Sequence, residues 1–270
     1  MGETTGIQWC HATFNTHIGC AKVSPACDNC YAERDSKRLE ASLTNQGKIA
    51  LPLWGEHGAR HVTSDEYWKK PLAWNRKAAA AGERRRVFCA SFADVFEVRA
   101  DLDPVRERLA RLIEATPNLD WLLLTKRIDK ATAYGREMFR GLAFPANVWM
   151  GTTVEDEPRA RERVPALRAV PARVHFLSIE PQIELVTPEL DGIDWVICGG
   201  ESGPRARIFD LAWARSLREQ CRNAGVAFFM KQLGARPIDG LAGCEVWQRD
   251  RHGGDPTEWP EELQVREVPS

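Results

Sequence analysis

No sign of charge dominates this sequence: 37 Lys and Arg against 38 Asp and Glu leave a formal charge of -1 and a pI near 6.6. A chain-wide field that draws in nucleic acid or an anionic membrane is thereby excluded, and any polyanion would be held by local patches. No apolar run reaches the length of a membrane span, and Met1–Gly6 has neither a basic n-region nor an apolar h-region. The expected address is cytoplasmic, with no membrane partner. Internal repeats of fixed period, low-complexity tracts and strong linkers are also missing. Eight cysteines in 270 residues are too few for a disulfide scaffold.

What is present belongs to an ordinary globular chain, with 43% hydrophobic and 28% charged residues and a mean hydropathy of -0.40. The length allows a sizeable core. The ten tryptophans sit mostly in or beside apolar stretches, as core side chains do. The cysteines are unevenly placed, with Cys10, Cys20, Cys27 and Cys30 clustered near the N-terminus. In a reducing compartment such a cluster points to metal ligation or redox chemistry.

From residue 86 onward, short β-branched or aromatic runs alternate with amphipathic stretches. The pattern predicts a parallel sheet with crossover helices. Strands are expected at Arg86–Ala90, Asp120–Thr125, Asn147–Thr152, Arg173–Ser178, Asp194–Gly199 and Val226–Met230, with a further one around Trp9–Asn15. Their nearly continuous apolar character fits strands covered on both faces. Helices are expected at Asp103–Ala115, opened by Asp103 and Pro104, and at Asp210–Ala224, closed by Gly225. The fold class is therefore α/β, a TIM-like (β/α) barrel, partial or open, of six to seven parallel strands. Residues 1–238 read as one such domain, carrying a cysteine loop at 19–31 and a loop-rich insertion at about 40–80. Residues 239–270 read as an acidic, solvated appendage acting as a lid or edge cover.

The sharpest feature is the C-x6-C-x2-C constellation of Cys20, Cys27 and Cys30, in a loop that leads into a predicted helix at Ala32–Leu39. A tight turn brings Cys27 near Cys30, and Pro25 stiffens the arm that returns Cys20. Helix N-terminal amides and Lys22 would favour thiolates there. A structural zinc takes four protein ligands, for which Cys10, His11 and His17 are candidate fourths. An iron-sulfur cluster with an open iron takes three.

The segment from Trp9 through Asn15, Gly19-Cys20, Ser24-Pro25 and Cys27-Asp28-Asn29-Cys30-Tyr31-Ala32-Glu33 resembles the opening of a phage- and prophage-associated family of three-cysteine proteins. That family looks like a divergent branch of the radical S-adenosylmethionine (SAM) enzymes. The resemblance continues through Asp94, Leu124-Thr125-Lys126-Arg127, Gly151-Thr152-Thr153-Val154-Glu155, Phe176-Leu177-Ser178-Ile179-Glu180-Pro181, Cys198 to Pro204 and Phe228 to Gln232. It implies a [4Fe-4S] cluster on Cys20, Cys27 and Cys30, and SAM bound at the open iron. An external electron donor would feed it, and the substrate would be a small molecule, a nucleotide or a nucleic-acid base. Two departures stand out. The wider superfamily spaces its cysteines C-x3-C-x2-C, and its Gly-Gly-Glu motif ends the second strand, whereas Gly199-Gly200-Glu201 ends the sixth here.

In β/α barrels the chemistry gathers at the C-terminal ends of the strands. The polar residues there are Asp94 after the second strand, Lys126 and Arg127 after the third, and Glu155 after the fourth. Ser178 and Glu180 follow the fifth, Glu201 the sixth, and Lys231 and Gln232 the seventh. Tyr31, Lys126, Glu155, Ser178, Glu180, Gly199, Gly200, Glu201 and Lys231 are the candidate cofactor contacts. Both signs of charge suit a zwitterionic cofactor and a polar or phosphorylated substrate. Arg205 and Arg207 after the glycine-rich turn offer a phosphate contact. Cys89 and Cys198 are candidate hydrogen donors to a product radical, although buried core thiols are the commoner use of such positions. The arginines at 159, 161, 163, 168 and 173 read as a solvated helix face. The competing function is a zinc-stabilised, non-catalytic barrel that binds nucleic acid or a protein partner.

Overall fold

The computed structural model describes residues 3–141 and 143–269. Met1 and Gly2, part of the segment read above for a leader, lie outside them. Seven of the apolar runs form one sheet: β1 (Ala12–Thr13), β2 (Arg85–Cys89), β3 (Leu119–Thr125), β4 (Val148–Thr153), β5 (Val174–Ile179), β6 (Trp195–Gly199) and β7 (Ala227–Gln232). Their spatial order follows the sequence, β1 to β7, and the strands run parallel. Sequential parallel order is that of a TIM-type barrel, and β1 and β7 stand at the two ends of the row without pairing to each other. The expected open, TIM-like α/β fold is the one observed.

All six residues of β4 and all five of β6 are buried, which is why these strands read as unbroken apolar runs. Among the described residues, six helices of eleven residues or more accompany them: α1 (Tyr31–Asn45), α2 (Lys70–Ala81), α3 (Asp103–Glu114), α4 (Ile128–Met138), α5 (Glu157–Arg168) and α6 (Leu211–Ala224). Two have side-chain caps. Asp156 accepts from the Arg159 amide at the start of α5, and Asp210 from the Ala212 amide at the start of α6. Gly225 closes α6 in the left-handed conformation, as expected from sequence.

The chain forms two compact units, Met1–Met150 with Val170–Arg173, and Gly151–Ala169 with Val174–Ser270. In the first, Phe14 stacks on Tyr67 and meets Trp68 and Trp121 edge-on, with centroids 5.1 to 5.6 Å apart. The Tyr67 hydroxyl accepts from the Asn15 amide and donates to Thr13 O, so residues 63–68 are tied to β1. The insertion is therefore more ordered than a string of loops. Pro71 sits in the first turn of α2, where a missing N–H costs nothing, and Trp74 and Ala78 continue that helix's buried face.

In the second unit the acidic tail lies along β7. Met230 N donates to Val265 O at 2.8 Å, Glu267 N donates to Phe228 O at 2.9 Å, and Phe229 pairs antiparallel with Arg266. An open sheet edge invites pairing with other chains, and this segment covers it. Trp259 and Leu263 are buried at 4% and 0% exposure, so the tail contributes to the core rather than being wholly solvated. Leu263→Ala is expected to lower unfolding free energy by about 2 to 4 kcal/mol in guanidinium titrations. A loss below about 0.5 kcal/mol would mean that the tail is a solvated appendage after all.

Candidate functional site

In the first unit the cysteine loop is anchored at both ends. Gly19 donates its amide to Phe92 O and pairs in parallel with Ala93, next to the end of β2. Its φ of +117° suits glycine, and a Cβ there would collide with the carbonyls of Leu53 and Ala59. Gly55 N donates to Cys20 O at 3.0 Å. The insertion thus packs directly on the loop's first arm, around a small core of Ile18, Leu43 and Leu53. The far arm is a 3-10 turn, Pro25–Cys27, and Cys30 caps α1 without a side-chain bond. Cys27 N donates to Ser24 O at 2.9 Å and Cys30 N to Cys27 O at 3.4 Å, the tight turn read from the spacing.

Beneath the loop lies a set of buried charges, of which Asp94 and Arg127 are marked in the sequence by their place after strands and the rest are not. Arg127, with its side chain 11% exposed, pairs with Asp94 at 2.9 Å. The same guanidinium donates to Cys20 Sγ at 3.6 Å and to Ala21 O at 2.9 Å. Asp94 also accepts from the Thr125 hydroxyl and the amides of Phe96 and Lys126. Arg60 forms a two-pronged pair with Glu97 at 2.6 and 2.7 Å and donates to the carbonyls of Leu53, Gly55, Gly58 and Ala59. Arg106 fastens the carbonyls of Val95, Glu97 and Arg99. Asn15 accepts from Phe92 N and donates to the Ser91 hydroxyl, which orders the segment after β2.

Burial works against the charge on Arg127, yet Asp94, Cys20 and Glu97 together hold it above the ordinary guanidinium value. Burial, then Asp94, pushes the Cys20 thiol up to about 12, with Arg127 opposing them. A metal would therefore displace a proton on binding Cys20. Lys22, expected to serve the thiols, instead pairs with Glu33 at 3.4 Å on the exposed side, and Arg127 is the cation that faces sulfur.

The three thiols share one loop, which fits a three-thiolate cluster in kind and number. Among the described residues no three His, Cys, Asp or Glu side chains are grouped to hold a metal ion. A zinc needs its ligands converging within about 2.3 Å of one point. A cubane takes each thiolate at a separate iron and sets no such demand. Each candidate fourth zinc ligand has one atom engaged elsewhere, while His17 Nε2 is buried without a hydrogen-bond partner. Cys10 Sγ donates to Ile7 O, His11 Nδ1 accepts from Arg86 N at 2.8 Å, and His17 Nδ1 lies 2.9 Å from the Thr16 hydroxyl. Burial depresses His17 to about 3, so its ring is neutral.

Lys126, half-buried at the end of β3, extends an ammonium with no hydrogen bond or ion pair to a described residue. Tyr31, the first residue of α1, donates its hydroxyl to Ser91 O at 3.1 Å and meets Phe92 edge-on. Cys89 is fully buried in β2, and burial raises its thiol well above the ordinary value.

In the second unit the strand-end carboxylates divide into two groups. Glu155, at 0% exposure, pairs with Arg163 at 3.0 Å, and Arg163 also donates to Thr153 O. Arg163 is thus a buried counterion, not part of a solvated helix face. Glu201 accepts three bonds from Arg207, from its amide, Nε and Nη2, at 2.7 to 3.0 Å. This ties the Arg207 charge into the turn and reduces its value as a phosphate ligand. Gly200 is required by close approach, because a Cβ would strike Leu233 O and C. Gly199 O accepts from Gln182 N, and Gly200 N donates to Gln232 O.

Glu180 differs. Its Oε2 accepts from the Ser178 hydroxyl at 3.3 Å, while Oε1 is buried without a hydrogen bond and lies 3.3 Å from Lys231 Nζ. Cys198 is fully buried and donates to Gln182 Oε1 at 3.4 Å. Burial, then Glu180, raises its thiol well above the ordinary value.

Sequence reasoning missed Arg60, Glu97 and Arg106, whose partners lie up to 37 residues away in the chain. Glu97→Gln is expected to cost about 3 to 5 kcal/mol in urea unfolding, because Arg60, 1% exposed in its side chain, would be left without a counterion. A loss within about 0.5 kcal/mol would show that the pair does not hold the insertion against the loop.

No curated protein matches the sequence. Among solved structures, a spore photoproduct lyase double mutant with bound AdoMet and dinucleoside spore photoproduct is similar, with a TM-score of 0.45 and 11% identity. The similarity covers 89% of this chain and 63% of that one, so the chain spans less than two thirds of that protein's length. A family model described as "Protein of unknown function (DUF5131)" matches residues 4–254, and the chain belongs to that family.

Proposed function

We propose that this protein is an iron-sulfur, SAM-dependent radical enzyme acting on a polar substrate. The observation that carries the reading is the three-thiol loop of Cys20, Cys27 and Cys30, whose first sulfur is met by the buried Arg127 guanidinium. Those three cysteines would hold a [4Fe-4S] cluster. With SAM bound, the cluster supplies one-electron, hydrogen-abstracting chemistry, fed by an external electron donor.

The protein's own residues bind, orient and exclude water. Cys20 is half-buried, and Arg127 fixes the loop's first arm. In the first unit, Lys126 is assigned to the cofactor's carboxylate and Tyr31 to the wall beside the cluster, on the strength of their place next to the loop. In the second unit, Glu180, Ser178 and Lys231 are assigned to a polar ligand, because the buried Glu180 Oε1 is met by the Lys231 ammonium at 3.3 Å without hydrogen-bond geometry. Gly199 and Gly200, expected as cofactor contacts, have their backbone groups engaged by Gln182 and Gln232. Glu155 and Glu201 act through the fold, each neutralised by its own arginine. A nucleotide or nucleic-acid base is the substrate class the family resemblance favours, with less weight on Arg207, whose charge is spent on Glu201. Cys89 and Cys198 would need an opening of the core to donate hydrogen.

The test is anaerobic purification with iron, acid-labile sulfide and zinc quantified, then EPR of the dithionite-reduced protein with and without SAM. A cluster signal that SAM perturbs and that Cys27→Ala abolishes is the expected result. Stoichiometric zinc without sulfide after reconstitution would overturn the reading in favour of a zinc-stabilised binding module.

A further inference from the structure

The guanidinium of Arg127 makes three kinds of contact at once. It reaches Cys20 Sγ at 3.6 Å, Ala21 O at 2.9 Å and the Asp94 carboxylate at 2.9 Å, with Glu97 a further 3.7 Å away. Asp94 is itself held by the Thr125 hydroxyl and two amides, so the fork cannot swing without breaking a buried network. Arg127 lies two residues past the end of β3, at the N-cap of α4, and its own amide donates to the Thr125 hydroxyl oxygen at 2.9 Å. A rigid strand end therefore delivers a fixed positive charge to one particular sulfur of the loop. The partner Lys22 is mostly exposed, and its charge is screened by water.

We infer that Arg127 is the positioning residue of the cysteine loop and the fixed countercharge of the cluster it holds. This inference rests on the cluster reading above. With three thiolates, the oxidised [4Fe-4S] cluster carries a net charge of about -1, and adding one electron takes it to about -2. A cation held against one thiolate stabilises the more negative state further, and in a buried site the effect is little screened. Arg127 thereby raises the reduction potential. Its bond to Ala21 O also sets the first arm before the metal arrives. Lysine would keep the charge but lose the fork, since an ammonium is a point charge without two parallel donors.

The experiment compares wild type, Arg127→Gln and Arg127→Lys, each reconstituted with iron and sulfide. Midpoint potentials are read by dithionite titration followed by EPR, and hydrogen exchange over residues 19–31 is read in the metal-free proteins. In Arg127→Gln the potential is expected to shift to more negative values. Arg127→Lys should restore most of that shift while exchange in its loop accelerates on the order of tenfold, as for loss of one charge-assisted hydrogen bond. The lysine variant keeps Asp94 neutralised, so it remains informative if the glutamine variant does not fold. A full cluster in Arg127→Gln with the wild-type potential, or wild-type exchange in Arg127→Lys, would overturn the inference while leaving the cluster reading intact. Absence of any cluster in the wild type would overturn both.

Discussion

Buried ion pairs set the conformation of the first unit's functional end. Arg60 and Arg127 are largely removed from water, and each would cost several kcal/mol to bury alone. They are tolerated because Asp94 and Glu97 meet them, and those carboxylates are in turn fixed by the end of β2, by Thr125 and by the amides around them. Arg60 gathers four carbonyls of the insertion and Arg127 gathers the cysteine loop, so the two segments are held by one electrostatic unit. Cys20 sits at the edge of that unit. Its sulfur is half-buried with a cation for a neighbour, and burial with Asp94 holds the unbound thiol protonated.

The second unit uses the same device to a different end. Glu155 with Arg163, and Glu201 with Arg207, spend their charge on holding a helix and a turn in place. Glu180 keeps one oxygen buried without a donor and only a lysine within ionic reach. An ion pair without hydrogen-bond geometry satisfies a buried carboxylate less completely than the two arginine forks do. Three carboxylates at neighbouring strand ends look alike in the sequence, and only the partners each one finds tell scaffold from binding group.

What could be read in the sequence depended on how local the cause was. Six strands were placed to within two residues, because burial on both faces writes an unbroken apolar run, and Gly225 marked the end of α6 through its own backbone preference. Residues 40–80 read as a loop-rich insertion with short helices for equally local reasons. Helix α1 continues to Asn45 through Glu40, Ser42 and Thr44 with little apolar stripe beyond Leu43, and Pro71 looked like a breaker although it opens α2. The contact between Arg127 and Cys20 joins residues 107 apart, and Arg163 is buried although its neighbours Arg161 and Glu162 are exposed. No window of sequence contains those causes. The turn between Cys27 and Cys30 is legible because its spacing is short, while nearness in sequence points to Lys22 as the cation and nearness in space gives Arg127.

The central claim is that three thiolates from one loop leave a cluster iron open to SAM. Mössbauer spectroscopy of protein reconstituted with the 57Fe isotope addresses it most directly. One iron in four should change its isomer shift when SAM is added, with the other three unmoved. Four irons indifferent to SAM, or no cluster iron at all, would contradict the account.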